Sequence, residues 1–212
     1  EGAGLIKTPE AKEGEDKKNE STTKRPYDRF RSRIMFPLHD VSGRVVGFSG
    51  RAFGGDGTEV AKYLNSPETS VFNKSRVLHG IHLAKEGIRA LGSALLVEGQ
   101  VDLLMAHQAG YKNAVALSGT GFTEEHGKLI KRYTENLLLA FDGDRAGISA
   151  AGRAAQVALK LGINVKIATL PPGEDPADLI KRDIVLWKKS VKESTHVIDF
   201  YITYLKNAGF DE

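Results

Sequence analysis

From Gly92 to Leu170 the chain alternates short apolar runs with helix-like stretches, and this alternation constrains its fold more than any other feature. Ala94-Leu95-Leu96-Val97, Ala114–Leu117, Leu137–Phe141 and Val165–Leu170 are runs of strand length. Between them lie Val101–Ala109, stopped by Gly110, then Thr123–Tyr133, with Thr123 placed as cap, and Ile148–Leu161, ended by Gly162. Strands that are apolar throughout are buried on both faces. Four of them joined by three helices predict a parallel sheet with helices on both sides and right-handed crossovers.

In such a sheet ligands bind beyond the carboxyl ends of the strands. The first strand ends in Glu98-Gly99 and the second in Ser118-Gly119-Thr120-Gly121. The third delivers Asp142 and Asp144 within Phe141-Asp142-Gly143-Asp144-Arg145-Ala146-Gly147, and the fourth leads to Glu174, Asp175 and Asp178. Three of the four ends thus carry acids to one edge. Asp142 and Asp144 are one residue apart, so both side chains project the same way from an extended backbone. Converging carboxylates repel unless a cation lies between them, and hard divalent ions such as Mg²⁺ choose carboxylate oxygen. A lone Asp-x-Asp would read only as an acidic turn favoured by a helix dipole.

Upstream the pattern differs. Glu1–Lys24 is charged or small and is expected to be flexible. Two β-rich runs, Arg33–Leu38 and Arg44–Ser49, flank Asp40–Gly43 as a hairpin would. Lys62–Thr69 is polar, broken by Pro67 and without period; a helix is expected over about Leu78–Arg89. His79 and His82 stand at helical spacing, but two histidines without a third ligand fit packing or surface better than a metal site. His39, His107, His126 and His196 are scattered. After Pro171-Pro172 come a loop through Asp178 and two helical stretches, about Ile184–Lys192 and Thr195–Asn207.

Charge follows this division. Residues 21–90 hold 12 Lys and Arg against 6 Asp and Glu, whereas 91–212 hold 14 against 15. A basic region beside a carboxylate-bearing one suits a polyanion on the first and a metal on the second. The chain has no cysteine, so a disulfide scaffold or thiolate zinc site within it is excluded. No apolar run reaches membrane-span length and no signal peptide is visible, so a soluble cytoplasmic protein is expected. A start at Glu1 without methionine reads as part of something longer. The expected division is a flexible segment (1–26), a basic subdomain (27–91), the parallel-sheet domain (92–180) and a helical segment (181–212).

Glu98-Gly99 followed two strands later by Asp142-Gly143-Asp144-Arg145-Ala146-Gly147 resembles the Toprim domain of bacterial primases, topoisomerases and some nucleases. Tyr27–Arg31, Ile34–Pro37, Gly43–Phe48, Lys62–Thr69 and Phe72–Lys74 look, in the same order, like the RNA-polymerase core of DnaG-type bacterial primases. The Lys62–Thr69 segment is not carried by topoisomerases. The resemblance covers about Tyr27 to Asp178. It implies an α/β fold: a Toprim-type parallel sheet flanked by helices, preceded by a basic α+β subdomain and followed by C-terminal helices.

The resemblance also implies a function. Ribonucleoside triphosphates would be joined into short RNA primers on a single-stranded DNA template by a nucleotidyltransferase using two or more Mg²⁺ or Mn²⁺ ions, with no zinc in this chain. Glu98, Asp142 and Asp144 would be catalytic, and with Asp175 they would bind metal. Arg51, Lys62, Asn65 and Lys74 would contact nucleotide and template, with Asp102 in support. The replicative helicase would be a partner through a domain outside this chain, and no membrane partner is implied. Two positions depart from the family pattern: Gln100 replaces an aromatic, and Asp175-Pro176-Ala177 lacks an acid that Asp178, one place later, would supply to the metal. Other readings are a Toprim nuclease or topoisomerase part cleaving DNA, and a non-catalytic single-strand-binding module. A haloacid-dehalogenase phosphatase would want Thr or Val where Ala146 stands.

Overall fold

The computed structural model describes residues 3–8, 25–53 and 61–207. They divide into two compact units: those up to Leu38 with those of Val45–Asn73, and His39–Arg44 with those from Lys74 onward.

In the first unit β1 (Ile6–Lys7) pairs antiparallel with β2 (Tyr27–Asp28). The segment expected to be flexible over 1–26 therefore starts with a paired strand, and its centre lies outside the described residues. Next, β3 (Arg33–His39), β4 (Val45–Ala52) and β5 (Tyr63–Asn65) form a three-stranded sheet in that order. The first two are the expected hairpin. Strand β5 lies in the stretch without period, because three residues are too few to show one. Its order comes from pairing, with Ser49 opposite Asn65 and Arg51 opposite Tyr63. Beyond it the fully buried Ser66 donates its N–H to the Phe48 carbonyl (2.8 Å) and accepts the Phe48 N–H on Oγ (3.0 Å). Phe30, Phe36, Leu38 and Phe72 form the apolar interior. Gly47 lies against the Phe72 ring, where a Cβ would come within 3.0 Å of it.

The second unit opens with α1 (Ile81–Leu91), which starts later than the sequence suggests. Gly80 has φ 82°, and His79, buried, exchanges backbone bonds with Ala116 instead of entering the helix. The sequence places helix α1 with the basic subdomain (27–91). Its Ile81, Ala84 and Ile88 enter the core of the second unit, so packing draws the boundary at Lys74. The series then runs β6 (Ala94–Val97), α2 (Gln100–Gln108), β7 (Ala114–Ala116), α3 (Glu124–Lys131), β8 (Asn136–Leu139), α4 (Arg145–Lys160) and β9 (Asn164–Ile167). After it come α5 (Pro176–Arg182), α6 (Ile184–Lys192), β10 (Thr195–His196) and α7 (Val197–Asn207). Helix α5 occupies part of the expected loop: Asp175 caps it and Pro176 takes its first turn, where a missing N–H costs nothing.

The sheet order is β10-β9-β8-β6-β7, with β6 to β9 parallel and β10 an antiparallel edge. Alternate strand residues feed two cores. Leu96, Val115, Leu139 and Val165 pack with α1, α3, α4 and α7 on one face. On the other, Leu95, Val97, Ala114 and Ala116 pack with α2, α5 and α6, where Trp187 is fully buried. Adjacent strands β6 and β8 are therefore followed by helices on opposite faces. That is a topological switch point, and it opens a crevice at the carboxyl ends.

Candidate active site

Glu98 leaves β6 at this switch point and Asp142 follows β8. The Asp142 N–H donates to Glu98 Oε1 at 3.3 Å. Burial raises the Glu98 pKa, with the Asp142 charge next and Asp144 a smaller cause. A cavity of about 620 Å³ lies against Glu98. The second strand end, which carries no acid, supplies Gly119, Thr120 and Gly121 to its wall, and α4 supplies Arg153.

Both glycines of the Asp142–Gly147 loop are required by close approach. A Cβ on Gly143 would strike the Pro171 carbonyl, and one on Gly147 the Asp142 carbonyl. Gly143 donates to the Glu174 carbonyl (2.9 Å) and accepts from the Gly173 N–H (3.1 Å), so the loops after β8 and β9 are laced together. Asp144 caps α4, accepting the Gly147 N–H at 2.7 Å. Asp175 caps α5 in the same way, accepting the Asp178 N–H at 2.7 Å.

Asp102 joins the first loop to the last. It is buried; its Oδ2 accepts the Gly99 N–H (2.9 Å) and its Oδ1 the Ala177 N–H (3.1 Å). Burial pushes its pKa up to about 7, helped by the charges of Asp175 and Asp142 and opposed by the two N–H groups. Ala177, where the resemblance has an acid, is buried, whereas Asp178 is exposed on the first turn of α5. Glu174 pairs with Arg182.

Glu98, Asp102, Asp142, Asp144 and Asp175 are thus brought to one edge, where the charges of Asp142 and Asp144 help to raise the pKa of Glu98 and those of Asp175 and Asp142 that of Asp102. Among the described residues no three His, Cys, Asp or Glu side chains are drawn together tightly enough to hold a metal ion. The donor set is nonetheless all carboxylate, and its mutual repulsion is what a hard cation relieves. The predicted contacts to nucleotide and template are spread more widely. Arg51 and Asn65 share one face of β4–β5, and Arg51 lies over the Tyr63 ring at 5.8 Å. Lys62 is exposed just before β5. Lys74 belongs to the second unit.

Comparison with known proteins finds relatives for both parts of the chain. Residues 7–85 match the family model "DNA primase catalytic core, N-terminal domain", and residues 95–180 match "Toprim-like". The DNA primase of Staphylococcus aureus (strain COL) is 46% identical over 154 residues, which are 73% of this chain and 25% of the relative. The chain belongs to the DnaG-type primase family. Among solved structures, a DNA primase domain from Pseudomonas aeruginosa superposes with a TM-score of 0.82 at 37% identity, covering 96% of this chain and 61% of that one. A DnaG primase catalytic domain bound to single-stranded DNA superposes with 0.79, also at 37% identity, covering 96% and 60%. The chain spans about a quarter of the length of the curated relatives it matches.

Sequence reasoning overlooked one group of this family member. His126 is fully buried and bonded at both ring nitrogens. Its signal was its place three residues after a capping threonine, where a side chain can reach back to the cap.

Proposed function

We propose that this chain supplies the catalytic core of a primase, joining ribonucleoside triphosphates into an RNA primer on a single-stranded DNA template. The observation that carries this is the carboxylate edge at the β6–β8 switch point, in a chain whose relatives are named DNA primase. Glu98, Asp142, Asp144 and Asp175 would hold divalent ions, with Asp178 contributing through a water or not at all. Bound there, Mg²⁺ or Mn²⁺ would lower the pKa of the attacking 3′-hydroxyl and neutralise the leaving phosphates. With its Oε1 on the Asp142 amide, Glu98 offers Oε2 to an ion or to the hydroxyl proton. Lys62 and Lys74 would act as point charges on phosphates, Arg51 and Asn65 as further contacts. Template contact of this kind is electrostatic and reads little sequence. A replicative helicase would engage through another part of the protein. Among the described residues no helix is long and apolar enough to cross a membrane.

Asp142→Asn tests the core of this reading. Asp142 is only half-buried and lies beyond the strand core, so the variant should keep its melting temperature. It should lose metal-dependent RNA synthesis on single-stranded DNA. Synthesis at the wild-type rate by the folded variant would remove the claim.

A further inference from the structure

The loop after β7 and the start of α3 hold Lys74 and Ser75, where the second unit resumes, by two side chains. Thr123 donates its N–H to His126 Nδ1 at 3.2 Å, and His126 Nε2 lies 3.0 Å from the Lys74 carbonyl. A backbone N–H only donates and a carbonyl only accepts, so these partners select one neutral tautomer, with the proton on Nε2. Burial lowers the His126 pKa and keeps the ring neutral. Thr123 makes the second link: its hydroxyl donates to the Ser75 carbonyl at 2.6 Å while accepting the His126 N–H at 3.2 Å. A few residues on, the His79–Ala116 backbone pair fastens the same segment to β7.

Capping α3 does not require these residues. Glu or Gln at 126 would reach back to the cap, and Asp at 123 would accept the N–H it must accept. What His and Thr add is a donor beyond the helix for each of two consecutive carbonyls. An imidazole carries an acceptor and a donor on opposite sides of a rigid ring, and a hydroxyl accepts and donates at once.

We propose that His126 and Thr123 are positioning residues: they fix the backbone of Lys74 and so the point from which its ammonium meets the phosphates of a nucleoside triphosphate. This rests on the reading of Lys74 as a phosphate contact. Each link is a hydrogen bond that is lost when its donor is removed.

Two variants separate positioning from capping. His126→Gln keeps the reach back to the Thr123 amide but cannot also reach Lys74. Thr123→Asp keeps the cap but, ionised, cannot donate to Ser75. The affinity of the full chain for ATP with Mg²⁺ is measured by equilibrium binding for both, for Lys74→Ala and for the doubles with Lys74→Ala, with melting temperatures alongside. Lys74→Ala should weaken binding about tenfold, the loss of one charge-assisted contact. His126→Gln and Thr123→Asp should each weaken it about three- to tenfold with little change in melting temperature, yet add less than about twofold once Lys74 is Ala. Equal losses with and without Lys74 would overturn the proposal, as would wild-type affinity in both variants. Wild-type affinity in Lys74→Ala alone would instead show that Lys74 does not contact phosphate, and the proposal would fall with that reading.

Discussion

In the second unit four of the five clustered acids are held by backbone groups, whereas in the first unit Lys62 and Arg51, predicted to contact phosphate, are held less closely. Glu98 takes one N–H, Asp102 takes two, and Asp144 and Asp175 each cap a helix. Lys62, by contrast, is exposed, and Arg51 rests over one tyrosine ring. The sign of charge accounts for the difference. Like charges that must converge on a small cation need rigid support against their own repulsion. Cations that address a polyanion are not gathered on one point, and each neutralises a phosphate largely independently of the next.

If rigidity is what the acid loops need, a single methyl should break them. Gly143→Ala places Cβ against a backbone carbonyl that no side-chain rotation can clear. The loops after β8 and β9 must part, losing their two mutual backbone bonds. Overpacking of this kind costs about 1–3 kcal/mol. Displacing Asp142 and Asp144 by about 1 Å would lower primer synthesis by a hundredfold or more. A Gly143→Ala protein with wild-type melting temperature and rate would show that the lacing is dispensable.

Asp102 gives the next largest effect, and a pH signature. Its folded pKa, about 7, lies above the ordinary 3.8, so between these values the folded state holds a proton that the unfolded state has released. Stability should therefore fall as pH rises through that window. Asp102→Asn cannot ionise, and at pH 5 it matches the protonated acid in charge. Wild type should lose melting temperature relative to Asp102→Asn between pH 5 and pH 8, and Mg²⁺ should narrow the gap by relieving the repulsion from Asp142 and Asp175. Parallel melting curves across that range would show that burial and its neighbours do not raise the Asp102 pKa in the folded state.

Much of this was legible in the sequence, for identifiable reasons. Apolar runs of four to six residues show burial on both faces whatever their partners, so the parallel sheet and its acid-bearing edge could be read directly. Strand β5 could not be, because its order comes from β4 across the sheet. Helix α5 carried its signal in Asp175-Pro176, a cap followed by a proline in the first turn, but seven residues are too few for a period. The place of α1 in the second unit depends on what Ile81 and Ile88 touch, and no local pattern encodes that. His126 escaped notice because its role lies in reaching a carbonyl 52 residues away.

On the basic side the comparison predicts tolerance. Lys62→Ala should leave stability unchanged, since the residue is exposed. It should flatten the dependence of single-stranded DNA affinity on salt by about 0.7 in log–log slope, one phosphate's share. Lys62→Arg should restore the slope, because charge rather than shape is being supplied. Failure of arginine to restore it would mean that Lys62 sits in a site as geometrically exacting as the acids.

The smallest effect is expected at Asp178. Its backbone N–H is already capped by Asp175, and its side chain is exposed on the first turn of α5, where a negative charge gains about 0.3–1 kcal/mol from the helix dipole. Ala177, one place earlier, is buried and gives its N–H to Asp102, so the position at which the family pattern has an acid is here part of the packing. The burden of the fourth strand end then falls on Asp175. Because Asp175 also caps α5, an alanine there would mix lost charge with lost helix, whereas asparagine caps as well as aspartate. Asp175→Asn should thus cut synthesis strongly at little cost in melting temperature. Asp178→Ala should lose about a dipole's worth of stability and leave the rate within about twofold. Equal and severe losses of synthesis at both positions, with folding intact, would make Asp178 a full ligand. The acid loops would then be looser than the caps suggest, since Asp178 reaches the metal edge only if the start of α5 turns toward it.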